Sequence, residues 1–141
     1  FIRNHAANNI KGIIMNNGFK RDNLLQILSE LLPNETIDER KYVHGLIRSK
    51  PAVLYFADTQ IVQLNLSLFY DYKDNYQRIP YTDIREIKMR NVLWRKFALI
   101  YTNPIAPIEV EMPGKCLGCP WQAENLSYLL ENDFFQNSWP H

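Results

Sequence analysis

The sequence predicts a mainly β domain with helices: an antiparallel, partly open barrel of about seven strands, capped by a C-terminal helix and preceded by two short N-terminal helices. Three observations predict this. The hydrophobic period changes from that of a helix to that of a strand near residue 35. Short strand-like segments then follow one another with no helix between them, which describes an antiparallel meander and excludes a doubly wound βαβ fold. A final segment from Pro120 returns to a helical apolar face. A flat meander leaves two open edges and one apolar face in water. Curling it and plugging it with the terminal helix removes both problems.

The elements follow in order. Ile2, Ala6, Ile10 and Ile13/Ile14 recur at spacings of three and four, which suits an amphipathic helix that stops at Asn16, Asn17 and Gly18. Asp22 is the expected N-cap of a second helix carrying Leu24, Leu25, Ile27, Leu28, Leu31 and Leu32. Pro33 and Asn34 end it. Residues 1–34 are therefore expected to form a helical appendage, or the tail of an upstream region, and residues 35–137 the β domain.

Within that domain Lys41 to Ile47 is the first expected strand, followed by a turn at Ser49, Lys50 and Pro51. Ala52 to Ala57 is the second, and Asp58 and Thr59 turn the chain. The cleanest alternation comes next: Val62, Leu64, Leu66, Leu68 and Tyr70 against Gln63, Asn65, Ser67, Phe69 and Asp71. Lys73, Asp74 and Asn75 are the expected turn, and Tyr76 to Tyr81 the returning strand. Ile84–Met89, Arg95–Tyr101 and Ile108–Met112 complete the series, and Pro113 and Gly114 stop it. Pro120 opens the closing helix, whose apolar face is Trp121, Leu126, Leu129/Leu130 and Phe134.

Hydrophobic residues make up 46% of the 141 residues, enough for a buried core, so a disordered chain is not expected. The net charge of +1 lacks the basic excess of a nucleic-acid-binding protein. No apolar run is long enough to span a bilayer, so the chain is not expected to be transmembrane. Two cysteines are too few for a disulfide-stapled secreted domain, which makes a cytoplasmic setting the default, with a peripheral membrane position as the alternative.

Particular segments carry a resemblance beyond strand order. Residues 54–66, LYFADTQIVQLNL, have the shape of a hydrophobic hairpin found in bacterial pleckstrin-homology (PH)-like domains, with Gln60 where that pattern has a basic residue. Residues 79–88, IPYTDIREIK, look like the family's acidic–isoleucine–charged stretch. Residues 97–112 resemble its final hairpin and 120–135 its capping helix. The chain thus resembles the PH-like family over residues 36–135. The resemblance implies a scaffold for binding proteins or for self-assembly, and only sometimes for binding phosphoinositides. It implies no chemistry.

Three groups of residues stand out. Phe69, Tyr70, Tyr72 and Tyr76, with Tyr81, cluster around one hairpin. They are either ordinary cross-strand pairs or anchors for a protein partner. The alternation puts Tyr70 and Tyr72 inward with Leu68, and Phe69 outward. Arg48 and Lys50 flank the first turn, where phosphoinositide-binding PH domains grip phosphate, and Arg90, Arg95 and Lys96 would add charge if the fold brought them near. An isolated basic pair is more often a solvated turn. Cys116 and Cys119 sit at the start of the last helix, where unpaired backbone N–H groups favour a thiolate. The plainer reading is two loop thiols with no catalytic role; a disulfide or redox pair is the alternative. His5, His44 and His141 have no ligand spacing, and zinc needs four ligands, so no metal is expected. No nucleophile elbow, phosphate-cradling loop or zinc-protease motif is present, so neither an enzyme nor a cofactor is expected. The expectation is a non-catalytic binding or assembly module. A peripheral anionic-lipid binder and a thiol-redox protein are the alternatives.

Overall fold

The computed structural model describes residues 17–102 and 106–135. The expected helix over residues 1–16 lies outside them. The elements are helix α1 (Arg21–Leu31), strands β1 (Tyr42–Ile47), β2 (Lys50–Phe56), β3 (Gln60–Leu66), β4 (Tyr72–Pro80), β5 (Ile84–Val92), β6 (Arg95–Thr102) and β7 (Ile108–Met112), and helix α2 (Gln122–Glu131). A 3-10 turn, Tyr81–Asp83, joins β4 to β5.

The seven strands form one sheet in the order β4-β3-β2-β1-β7-β6-β5, and every neighbouring pair is antiparallel. Strands β4 and β5 are opposite edges of that sheet, yet only three residues connect them. Four Cα steps reach at most about 15 Å. The edges of a flat seven-stranded sheet would lie about 29 Å apart. The sheet is therefore curled, with the two edges brought towards each other.

The curl creates an inside and an outside, and each has its own core. Inside lie Val43, Leu54, Phe56, Ile61, Ile87, Ile100, Val110 and Met112, plugged by Leu126 and Leu129 of α2. Outside, the β1–β4 half carries Tyr42, Val53, Tyr55, Val62, Leu64, Leu66 and Tyr72, covered by Leu24, Leu28 and Leu32. Helix α1 is thus a packed layer of the fold, with Leu24 and Leu28 fully buried. Strands β2 and β3 bury side chains on both faces, which is why Ala52–Ala57 reads as a continuous apolar run.

The sheet has a weak seam that α2 repairs. Strand β1 pairs fully with β2 but meets β7 at Leu46↔Glu111. The backbone groups of His44 and Tyr42 on the β7 side therefore lack a strand partner. Gln122, fully buried, supplies one: its Oε1 accepts from His44 N at 2.7 Å, and its Nε2 donates to the oxygens of His44 at 3.0 Å and Pro113 at 2.7 Å. Asn125 Nδ2 donates to Tyr42 O at 2.9 Å and Glu39 O at 2.8 Å. Two side-chain amides continue the ladder where strand β7 has ended. Gly45 permits the close crossing of β7, because a Cβ there would collide with Val110.

Several local expectations need correction. The N-cap position of α1 is Lys20, without a side-chain cap, and Asp22 lies in the first turn, where its charge suits the helix N-terminus. The first hairpin turn is Arg48-Ser49, both at positive φ, and Pro51 belongs to β2, just before its pairing with β3 begins at Ala52. The long alternating strand from Val62 ends at Leu66. Ser67 closes a turn there: its backbone N donates to Asp71 O and its O accepts from Tyr70 N, while its Oγ accepts from the N–H groups of Phe69 and Asp71. Lys73, Asp74 and Asn75 are a bulge within β4, where the register jumps from Leu64↔Tyr76 to Leu66↔Tyr72 and Asp74 takes a positive φ. Helix α2 starts at Gln122, two residues later than expected.

Candidate partner-binding site

The turn after β3 is rigid at its base and apolar at its tip. Four hydrogen bonds through Ser67 fix its backbone. The fixed turn pushes Leu68 and Phe69 into solvent, 72% and 83% exposed. Tyr70, at φ 67°, folds back and stacks on Phe19 with ring centroids 4.5 Å apart. Its carbonyl oxygen accepts from Gly18 N at 2.7 Å, and Asn17 bridges to Asp71. The segment before α1 is thereby stitched to the turn. Any side chain at Gly18 would strike Leu66.

Phe19 is the hub beneath this tip. Its ring meets His44 edge-on at 4.6 Å and Trp121 at 6.3 Å, and its carbonyl oxygen accepts from Trp121 Nε1 at 2.9 Å. Trp121 in turn packs edge-on to Tyr42 at 4.9 Å. The loop before α2 reaches the same hub, with Gly118, at φ 83°, beside the Phe19 ring. The Cys116 and Cys119 sulfurs are paired with each other, the arrangement of the disulfide alternative. Cys119 is buried with Phe19 and Leu66 in the outer core, while Leu117 between the two cysteines is 96% exposed. One end of the outer core thus displays Leu68, Phe69 and Leu117 above a buried aromatic base.

The predicted aromatic group divides. Phe69 and Tyr70 belong to this tip. Tyr72 is buried in the outer core, and burial pushes its hydroxyl pKa up. Tyr76 lies half-exposed on β4 opposite Leu64, with the Arg78 guanidinium over its ring at 5.4 Å. Tyr81 is buried in the inner core and donates its hydroxyl to Ala57 O at 2.6 Å. Leu68 does not point inward with Tyr70, because the turn breaks the alternation at Ser67. The cations do not converge on the first turn. Arg48 and Lys50 are exposed there. Arg90 and Arg95 pair with Glu109 at 2.8 Å and Glu111 at 2.6 Å, and Lys96 reaches Asn91. The Arg95 guanidinium holds the Glu111 carboxyl below its ordinary pKa.

Sequence reasoning missed Phe19, Trp121 and Leu117 as parts of the site. It also passed over Leu93 and Trp94, which are 81% and 84% exposed at the β5–β6 turn. The run Val92-Leu93-Trp94 between Asn91 and Arg95 was the available signal. Among the described residues, no group of three or more His, Cys, Asp or Glu side chains is placed to hold a metal ion. Among them, too, no helix is long and apolar enough to cross a membrane. No known protein-family model matches the chain, and no curated protein matches it.

Proposed function

We propose that this chain is a non-catalytic PH-like module that binds a protein partner, a second copy of itself being the first to test, through the Leu68–Phe69–Tyr70 turn. The observation that carries the reading is the pair Leu68 and Phe69, held in water by a turn that is fully hydrogen-bonded at its base. A flexible loop would collapse such side chains onto the surface. A rigid one presents them, and preorganised apolar anchors lose little entropy on binding. The half-exposed Tyr70, stacked on Phe19, extends the apolar surface beside them. Strand β4 begins directly after the turn and is an edge of the sheet, so a partner could add backbone pairing to the apolar contact. The strand order and the C-terminal plug support the PH-like reading of the scaffold.

Size-exclusion chromatography with light scattering, run across a concentration series, tests the proposal. The parent is expected to self-associate, and the double variant Leu68→Ser, Phe69→Ser to elute as a monomer with unchanged thermal stability. A parent that stays strictly monomeric at the highest concentration removes the self-assembly reading.

A further inference from the structure

We propose that the β5–β6 hairpin is a membrane-contacting tip, in which Leu93 and Trp94 enter the interface of an anionic bilayer and the cations behind them meet lipid phosphates. Val92 pairs with Arg95, so Leu93 and Trp94 alone make the turn. Leu93 takes φ 57° at the first central position. Two-residue hairpin turns with that pattern favour glycine there, and a bulky side chain is disfavoured. Water disfavours the same residues again, since both are more than four-fifths exposed. Neither belongs to the inner or the outer core. Turn chemistry and solvent both argue against Leu-Trp at this position, and packing does not explain it. A backbone outlier of this kind points to function.

The surroundings indicate the occupant. From Ile87 to Ala98 the hairpin carries Lys88, Arg90, Arg95 and Lys96 and no acidic residue. Arg90 and Arg95 both lie over the Phe97 ring, behind the tip on the outer face. Their partners Glu109 and Glu111 come from β7. Arg90 and Glu109 are each about half exposed and share one bond, weak enough in water for a phosphate oxygen to replace the carboxylate, whereas Arg95 keeps Glu111 through two bonds. A fluid bilayer closes around any convex tip. Tryptophan favours the bilayer interface, and basic residues near an anionic surface add attraction that salt weakens. This surface is distinct from the Leu68–Phe69 turn and does not depend on it.

The test floats the full chain with phosphatidylcholine vesicles, with and without phosphatidylserine, at low and moderate salt. The parent is expected to float with the anionic vesicles, with weaker binding at moderate salt and a blue-shifted tryptophan emission. The double variant Leu93→Gly, Trp94→Asn installs the residues the turn favours. It should melt no lower than the parent yet lose at least about tenfold in vesicle affinity, equivalent to about 1.4 kcal/mol. Trp94→Ser alone repeats the test with the Leu93 backbone untouched. The Leu68→Ser, Phe69→Ser variant should float as the parent does, which separates this surface from the partner site. Failure of the parent to bind anionic vesicles at low salt overturns the proposal. So does equal binding by parent and tip variants. Loss of self-association rather than of vesicle binding in the tip variants would make the tip a protein contact, and also overturns it.

Discussion

His44 sits edge-on to Phe19, with Nδ1 3.1 Å from Ala52 O. Burial holds its imidazole below its ordinary pKa, and the Ala52 carbonyl only partly opposes that. The neutral ring then donates from Nδ1 to Ala52, and the charged form is the one burial excludes. The unfolded chain takes up a proton as pH falls through about 6.5, while the folded chain does not yet do so. Stability therefore declines as pH drops below that value and levels off only below the folded pKa. Urea unfolding of the parent between about pH 7 and 5 should show this slope, and His44→Gln should flatten it. An unchanged slope in the variant would assign the effect to other groups. The residue scale is also where the sequence was hardest to read. Leu68 and Tyr70 continue the alternation of Val62, Leu64 and Leu66 perfectly, and apolarity alone cannot tell a strand from a turn. Ser67 makes the difference through hydrogen bonds to residues two and four positions ahead.

Gln122 and Asn125 make helix α2 part of the sheet's hydrogen-bonding system as well as a plug. Gln122→Met keeps the side chain's volume but leaves the N–H and C=O of His44 without their partner. An orphaned buried backbone group costs about 1–3 kcal/mol, so loss of the two His44 partners should cost roughly 2–6 kcal/mol. Hydrogen exchange should locate the damage, with the His44 amide losing protection before those in the centre of β2. If only global stability falls while His44 stays protected, the amide is not the missing ladder partner. The strands themselves were legible, since period-2 apolarity marks β1, β6 and β7, and a continuous apolar run marks β2, to within a residue or two. The outer core was less so. The face Val62-Leu64-Leu66 reads as the inward one, yet it lies under α1, and Gln63 shares the inner side with Ile61 and is buried. Alternation separates two faces but does not say which one curls inward.

At the scale of the whole molecule, β1, β2 and β3 contribute to both cores at once. The two cores should therefore unfold together. Leu28→Ala, which touches only the outer core, should cost about 2–5 kcal/mol. It should shift the denaturation midpoints of tryptophan fluorescence and far-ultraviolet circular dichroism by the same amount. Separated midpoints would show that the α1 layer melts alone. The strand count has a further effect. Seven strands that all run against their neighbours leave the two edges, β4 and β5, pointing the same way. Parallel neighbours need a crossover of a dozen or more residues, and the link here has three. No substitution along those edges can zip them together, because the parity is wrong. The slit between them belongs to the topology itself, and the smallest addition that could seal it is one more strand running against both edges.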